Sequence, residues 1–116
     1  RATGPATPCT SGNLLQCDTL DGPSRDISGS ARALEWFDGE ISKIIGKLRK
    51  DDLFILTADH GNDPTWSGSE HTRENVPILI IGASPKTNRK VNFVDVAATV
   101  AHFMGLPVLG PGKSIL

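Results

Sequence analysis

The chain has 116 residues, 38% of them apolar, and a formal net charge of -1. That length suits one domain with a small core. The balanced charge offers no basic face to nucleic acid or to a membrane surface. No apolar run nears the roughly 20 residues of a membrane span, and no basic-then-apolar leader opens the chain. Cys9 and Cys17 form no CxxC pair and demand no disulfide framework, so a reducing cytoplasm is the expected compartment.

Residues 1–12 are rich in Pro, Thr, Ala and Gly and read as disordered or foreign sequence. Residues 13–116 read as the domain proper. Asn13-Leu14-Leu15-Gln16-Cys17-Asp18 is a short apolar run, expected as a buried strand ending at Asp18. Asp21-Gly22-Pro23-Ser24 signals a turn. Apolar residues then recur at Ile27, Ala31, Leu34, Phe37, Ile41, Ile44, Ile45 and Leu48, the spacing of an amphipathic helix. Ser28 is its expected N-cap, and Gly39 and Gly46 each cost such a helix about 1 kcal/mol against Ala.

Leu53-Phe54-Ile55-Leu56-Thr57 and Val76-Pro77-Ile78-Leu79-Ile80-Ile81 predict two further strands, the second ended by Gly82. Strand, helix and strand in succession form a βαβ unit, which implies a parallel pair with a right-handed crossover. Asn92 with Asp95 three residues on predicts a capped last helix. Its apolar stripe is Phe93, Val96, Val100 and Phe103, and Gly105 and Pro107 stop it. The expected class is α/β, helices flanking a mostly parallel sheet.

In open α/β sheets, functional groups gather at the carboxyl ends of strands. Asp18 ends one strand, and Asp59-His60-Gly61 follows another; His71 lies in the segment before the next strand. Neighbouring carboxylate and imidazole side chains on a continuing strand diverge, and so can serve two metal ions. Hard oxygen with imidazole nitrogen suits manganese, zinc or iron better than calcium. Two such ions about 3.5–4 Å apart clamp the attacking and leaving oxygens of a phosphoryl transfer. Gly61 is expected to turn the backbone sharply after the ligands. Taken alone, Asp-His-Gly is also a common turn, Asp18 a strand-end cap and His71 a surface histidine.

The longer segment decides between these readings. Thr57-Ala58-Asp59-His60-Gly61-Asn62-Asp63-Pro64-Thr65-Trp66, then Glu70-His71-Thr72-Arg73-Glu74 and Val76-Pro77, resembles the phosphopentomutases of the alkaline phosphatase superfamily. The TADHGN core is shared with cofactor-independent phosphoglycerate mutases, the first alternative. The Asp-Pro-Thr-Trp continuation and His-Thr-Arg-Glu favour phosphopentomutase. The likeness runs over residues 13–116, as the C-terminal part of an alkaline-phosphatase-like core domain. It implies two manganese ions, with Asp59 and His60 on one and Asp18 and His71 on the other. It implies an isomerase interconverting ribose 1-phosphate and ribose 5-phosphate, and the deoxyribose pair, through a phosphothreonine primed by a sugar bisphosphate.

The chain departs from that pattern at Asp21-Gly22-Pro23-Ser24-Arg25-Asp26, where the family has Tyr-Gly-His-Arg-Arg-Asp. Pro23 stands in place of a histidine ligand and brings no donor atom. The family's nucleophilic threonine and its sugar-selecting cap match nothing here, so no catalytic residue is assigned and the chain alone is expected to be inactive. A non-catalytic metal-binding or interaction domain is the second alternative. Trp66 is expected to be buried for packing, Asp63 and Thr65 to build the turn, and His102 to be structural or on the surface. Arg73 and Glu74 are read either as supports for the His71 loop or as a surface ion pair.

Overall fold

The computed structural model describes residues 9–12, 27–63, 65–68, 71–85 and 90–116. The strand expected over 13–18 and its parallel pairing lie outside them, as do Asp18 and Pro23. The elements run α1 (Ile27–Ile45), β1 (Phe54–Thr57), β2 (Ile78–Ile81) and α2 (Phe93–Phe103). Two compact units divide the chain, one holding α1 with residues 56–79 and the other α2 with the C-terminal segment. Among the described residues no helix is long and apolar enough to cross a membrane.

α1 begins at Ile27, so Ser28 lies inside the helix and is not its N-cap. The helix ends at Ile45, and Gly46 falls just beyond it, outside the interior where glycine is costly. The last turn tightens there, with Lys47 N–H donating to Ile44 O at 2.9 Å and Leu48 N–H to Ile45 O at 3.1 Å. The buried positions are Gly29, Ala33 and Ile41. The expected stripe is therefore only half right, since Ile27, Leu34, Ile44 and Ile45 are exposed.

β1 and β2 pair as a two-stranded antiparallel sheet. The described strands thus do not make the mostly parallel sheet expected. Among the described residues of 58–77 there is no crossover helix of the kind that usually joins parallel strands. The Thr57 hydroxyl donates to Pro77 O at 3.0 Å, tying the strand ends where the proline has no N–H to give. Gly82 ends β2 with φ 97°, a conformation only glycine takes freely.

α2 is capped as its sequence predicts. The Asp95 carboxylate accepts the Asn92 N–H at 2.8 Å. At the other end Gly105 takes φ 68°. Leu106 N–H donates to Ala101 O at 2.8 Å and Gly105 N–H to His102 O at 3.0 Å, the paired bonds of a Schellman motif. The buried face differs from the expected one. Phe93 is 59% and Phe103 36% exposed, whereas Ala98 and Thr99 are buried.

The C-terminal segment sets that face. Residues 95, 99 and 102 follow one another along α2 at spacings of four and three, and each holds one residue of the tail. Lys113 N–H donates to Asp95 Oδ1 at 2.8 Å, and Ile115 N–H to Thr99 Oγ1 at 3.1 Å. His102 Nδ1 and Ser114 Oγ lie 2.7 Å apart. Ile115 is thereby buried beside the helix. Lys113 and Ser114, which carried no chemical role in the sequence, are parts of this strap.

Two consequences can be measured. Thr99 is fully buried, and its hydroxyl also donates to Asp95 O at 2.6 Å. Thr99→Val leaves the buried Ile115 N–H without an acceptor and should cost about 1–3 kcal/mol in denaturant unfolding. A variant as stable as the parent would show the strap bond to be idle.

The Lys113 and Asn92 N–H groups also hold the Asp95 carboxyl below its ordinary pKa. A lowered folded-state pKa stabilises fully above the unfolded value of about 3.9. That contribution is lost as pH falls through the lowered value. Between about pH 5 and about pH 2 the parent should therefore lose more melting temperature than Asp95→Asn. Equal losses would remove Asp95 from the acid response.

Candidate metal centre

Strand pairing ends at Thr57, and Asp59 and His60 sit in a bend just beyond it. Because the pleat does not continue, the two side chains do not diverge. Asp59 Oδ1 and His60 Nε2 come within 3.7 Å. Donors sharing one ion at about 2.1 Å each lie roughly 3–3.5 Å apart, so a small adjustment brings both onto one metal. The Asp59 side chain is 82% exposed and that of His60 29%. The carboxylate thus faces open space while the imidazole is held by its surroundings.

His60 Nδ1 lies 3.1 Å from Gly61 O. A carbonyl only accepts, so Nδ1 carries a proton, and Nε2 is the ring nitrogen that faces Asp59. A backbone carbonyl fixing the tautomer in this way is the usual support of a metal-binding histidine. The His71 ring stacks on that of His60, centroids 3.7 Å apart and planes inclined by 29°. These are donors of the kind a transition metal takes, and they stand together. Among the described residues no three His, Cys, Asp or Glu groups converge on one point.

The pairing of the two histidines depends on a second closure. Gly61 and Thr72 form an antiparallel bridge, with Thr72 N–H donating to Gly61 O at 3.1 Å. His71, one residue before Thr72, is carried back over His60. Gly61 has no positive φ, so its role is not the sharp turn expected of it. A Cβ there would lie 2.8 Å from Glu74 N and 3.0 Å from Thr72 O. Only glycine lets the returning strand come this close. Glu74 Oε2 reaches the same spot, 2.6 Å from that Cβ position, so Glu74 packs on the Gly61 bend.

The intervening loop is a built turn. Asp63 Oδ1 accepts from Thr65 N–H at 2.8 Å and from Thr65 Oγ1 at 2.7 Å. Asp63 N–H donates to Thr72 Oγ1 at 2.6 Å, which binds the outgoing strand to the incoming one. Thr72 was not singled out from sequence; its place directly after His71 was the available signal. Trp66 is 57% exposed and not buried for packing as expected. Its indole lies over Gly68, where a Cβ would stand 2.9 Å from Nε1.

Comparison with known proteins identifies the family. The chain is 48% identical over 105 residues to a phosphopentomutase of Methylorubrum extorquens, covering 88% of this chain and 26% of that protein. It is 46% identical over 107 residues to the phosphopentomutase of Pectobacterium carotovorum, covering 90% and 26%. For the phosphopentomutase of Vibrio vulnificus the identity is 41% over 107 residues, with the same shares of 90% and 26%. The chain therefore spans about a quarter of the length of the curated relatives it matches. The family profile described as metalloenzyme superfamily matches residues 7–108, and the chain belongs to that superfamily.

Proposed function

We propose that this chain is the metal-holding part of a phosphopentomutase. Such an isomerase interconverts ribose 1-phosphate and ribose 5-phosphate, and the deoxyribose pair, in the cytoplasm. The observation that supports it most is the gathering of Asp59, His60 and His71 on one closed loop, His71 stacked on His60 and Asp59 within 3.7 Å of it. In the complete enzyme Asp59 and His60 hold one divalent ion and Asp18 and His71 the other, both manganese in this reading. Bound there, the ions polarise the phosphoryl oxygens and neutralise the charge that develops on them.

The chain's own residues do the positioning. Gly61 O orients His60, the Gly61–Thr72 bridge sets His71 against it, and Asp63 with Thr65 shapes the loop between. The nucleophile and the contacts to the pentose phosphate and the sugar bisphosphate belong to parts of the fold that this chain does not match. By itself the chain is inactive. Pro23 supplies no donor where the family has histidine, which supports a second reading, a non-catalytic metal-binding or interaction domain.

The test is to place this chain in the Methylorubrum extorquens phosphopentomutase in exchange for the quarter it matches. Turnover of ribose 1-phosphate with manganese is then assayed. The isolated chain should give none, and the graft should give activity that His60→Ala abolishes. A folded graft that binds manganese but turns over 3-phosphoglycerate instead would transfer the reading to the phosphoglycerate mutases. A folded graft with no manganese binding and no turnover would establish the non-catalytic reading.

A further inference from the structure

The closure that brings His71 to His60 is a single rung. Gly61 and Thr72 form an isolated antiparallel bridge outside the two strands. Its register matters. With 61 opposite 72, residues 60 and 71 are diagonal neighbours on one face, a separation that rings can span. Their rings stack with centroids 3.7 Å apart. A slip of one residue would turn His71 to the opposite face and part the rings. In a longer ladder the neighbouring rungs resist such a slip. One backbone bond alone does not, because the chain can pivot about it.

Thr72 makes a second attachment. Its N–H donates to Gly61 O at 3.1 Å, and its Oγ1 accepts the Asp63 N–H at 2.6 Å. The two bonds reach backbone atoms of residues 61 and 63 on the facing segment. Thr72 can therefore neither pivot nor slide without breaking one of them. Gly61 O also takes the His60 Nδ1–H at 3.1 Å. One carbonyl thus receives both the ring of His60 and the residue that follows His71. Thr72 is half-buried, where such bonds are stronger than in open water.

We propose that Thr72 is a positioning residue of the metal centre, its hydroxyl fixing the register that stacks His71 on His60. It acts through the two histidines and is not a ligand itself. The effect on metal binding rests on the ligand roles proposed for His60 and His71, whereas the register stands on the two bonds. Threonine suits the task, because its branched side chain favours extended backbone and its oxygen supplies the acceptor. Valine keeps the branching and removes the acceptor that Asp63 N–H uses; serine keeps the acceptor.

The experiment uses the full chain with Thr72→Val and Thr72→Ser. His71→Ala supplies the unstacked reference. Thr99→Val, which also removes an acceptor but in the other unit, controls for lost stability. In the metal-free chain, NMR follows the ring protons of His60, which the stacked His71 ring shifts. Thr72→Val should move them to their positions in His71→Ala, while Thr72→Ser and Thr99→Val leave them where the parent has them. In calorimetric titration with manganese alone, Thr72→Val should bind about 10-fold or more weakly, the range for groups that orient metal ligands. Thr72→Ser and Thr99→Val should bind as the parent does.

Parent-like His60 resonances in Thr72→Val would overturn the proposal, and so would a Thr72→Ser variant as displaced as the valine one. A moved resonance with unchanged manganese affinity would overturn the positioning role. If the parent itself takes up no manganese, the metal reading falls and the ring resonances alone decide the register. If Thr72→Val does not fold, amide exchange in the parent decides. An Asp63 N–H protected as well as that of Thr72 supports the second attachment, and free exchange at Asp63 overturns it.

Discussion

His60→Ala should bind manganese at least about 100-fold more weakly than the parent chain in calorimetric titration. Groups that merely orient a metal ligand are worth about 10–100-fold in affinity, and His60 is proposed as a ligand itself. Its Nδ1–H is committed to Gly61 O, 3.1 Å away, so Nε2 is the nitrogen left on the Asp59 side as a donor to a metal. Alanine also removes the ring on which His71 stacks. One substitution therefore takes away a nitrogen donor and the support of a second. His102→Ala is the matched control, because His102 is engaged with Ser114 in the other unit and should leave manganese affinity unchanged. Equal affinity of His60→Ala and the parent would place any metal elsewhere. A loss in both variants would point to general destabilisation instead of a ligand role.

What the sequence discloses and what it hides divide along the range of the interactions. The Asn92–Asp95 cap, the Gly105 stop and the Gly82 strand end are written within a few residues and appear where they were expected. The buried faces of α1 and α2 are not local properties. Thr99 and Ala98 are buried, ahead of Phe93 and Phe103, because the 113–115 strap crosses the helix there. That contact joins residues 16 and 18 positions apart, which no periodicity reports.

The candidate site follows the same division. The adjacency of Asp59 and His60 could be read directly, but their approach could not, since it depends on pairing ending at Thr57. The meeting of His60 with His71 depends on the Gly61–Thr72 bridge and on the room Gly61 leaves for Glu74 and Thr72. The family resemblance named the residues, and the geometry supplies the reason that glycine stands between them. Asp18, the fourth proposed ligand, lies outside the described residues.

The largest structural effect should come from Gly112→Ala. A Cβ at Gly112 would run into the carbonyl oxygen of Val94 and stand 2.6 Å from its carbonyl carbon. Backbone atoms of the first turn of α2 cannot swing aside as a side chain does, so the tail must lift. Lifting it breaks the Lys113 and Ile115 bonds to Asp95 and Thr99 and exposes Ile115. Overpacking alone costs about 1–3 kcal/mol, and each lost hydrogen bond adds about 1 kcal/mol. The sum, about 3 kcal/mol or more, should lower the melting temperature of a chain this size by roughly 10 °C.

Gly39→Ala supplies the opposite sign. Gly39 lies inside α1 with no atom within 4 Å of its Cβ position, so alanine there should gain about 1 kcal/mol from helix propensity. Calorimetric or circular-dichroism melts of the two variants read both effects. If Gly112→Ala melts with the parent while Gly39→Ala rises, the strap does not hold α2. If both fall, the α1 interior is more crowded than its open Cβ position indicates.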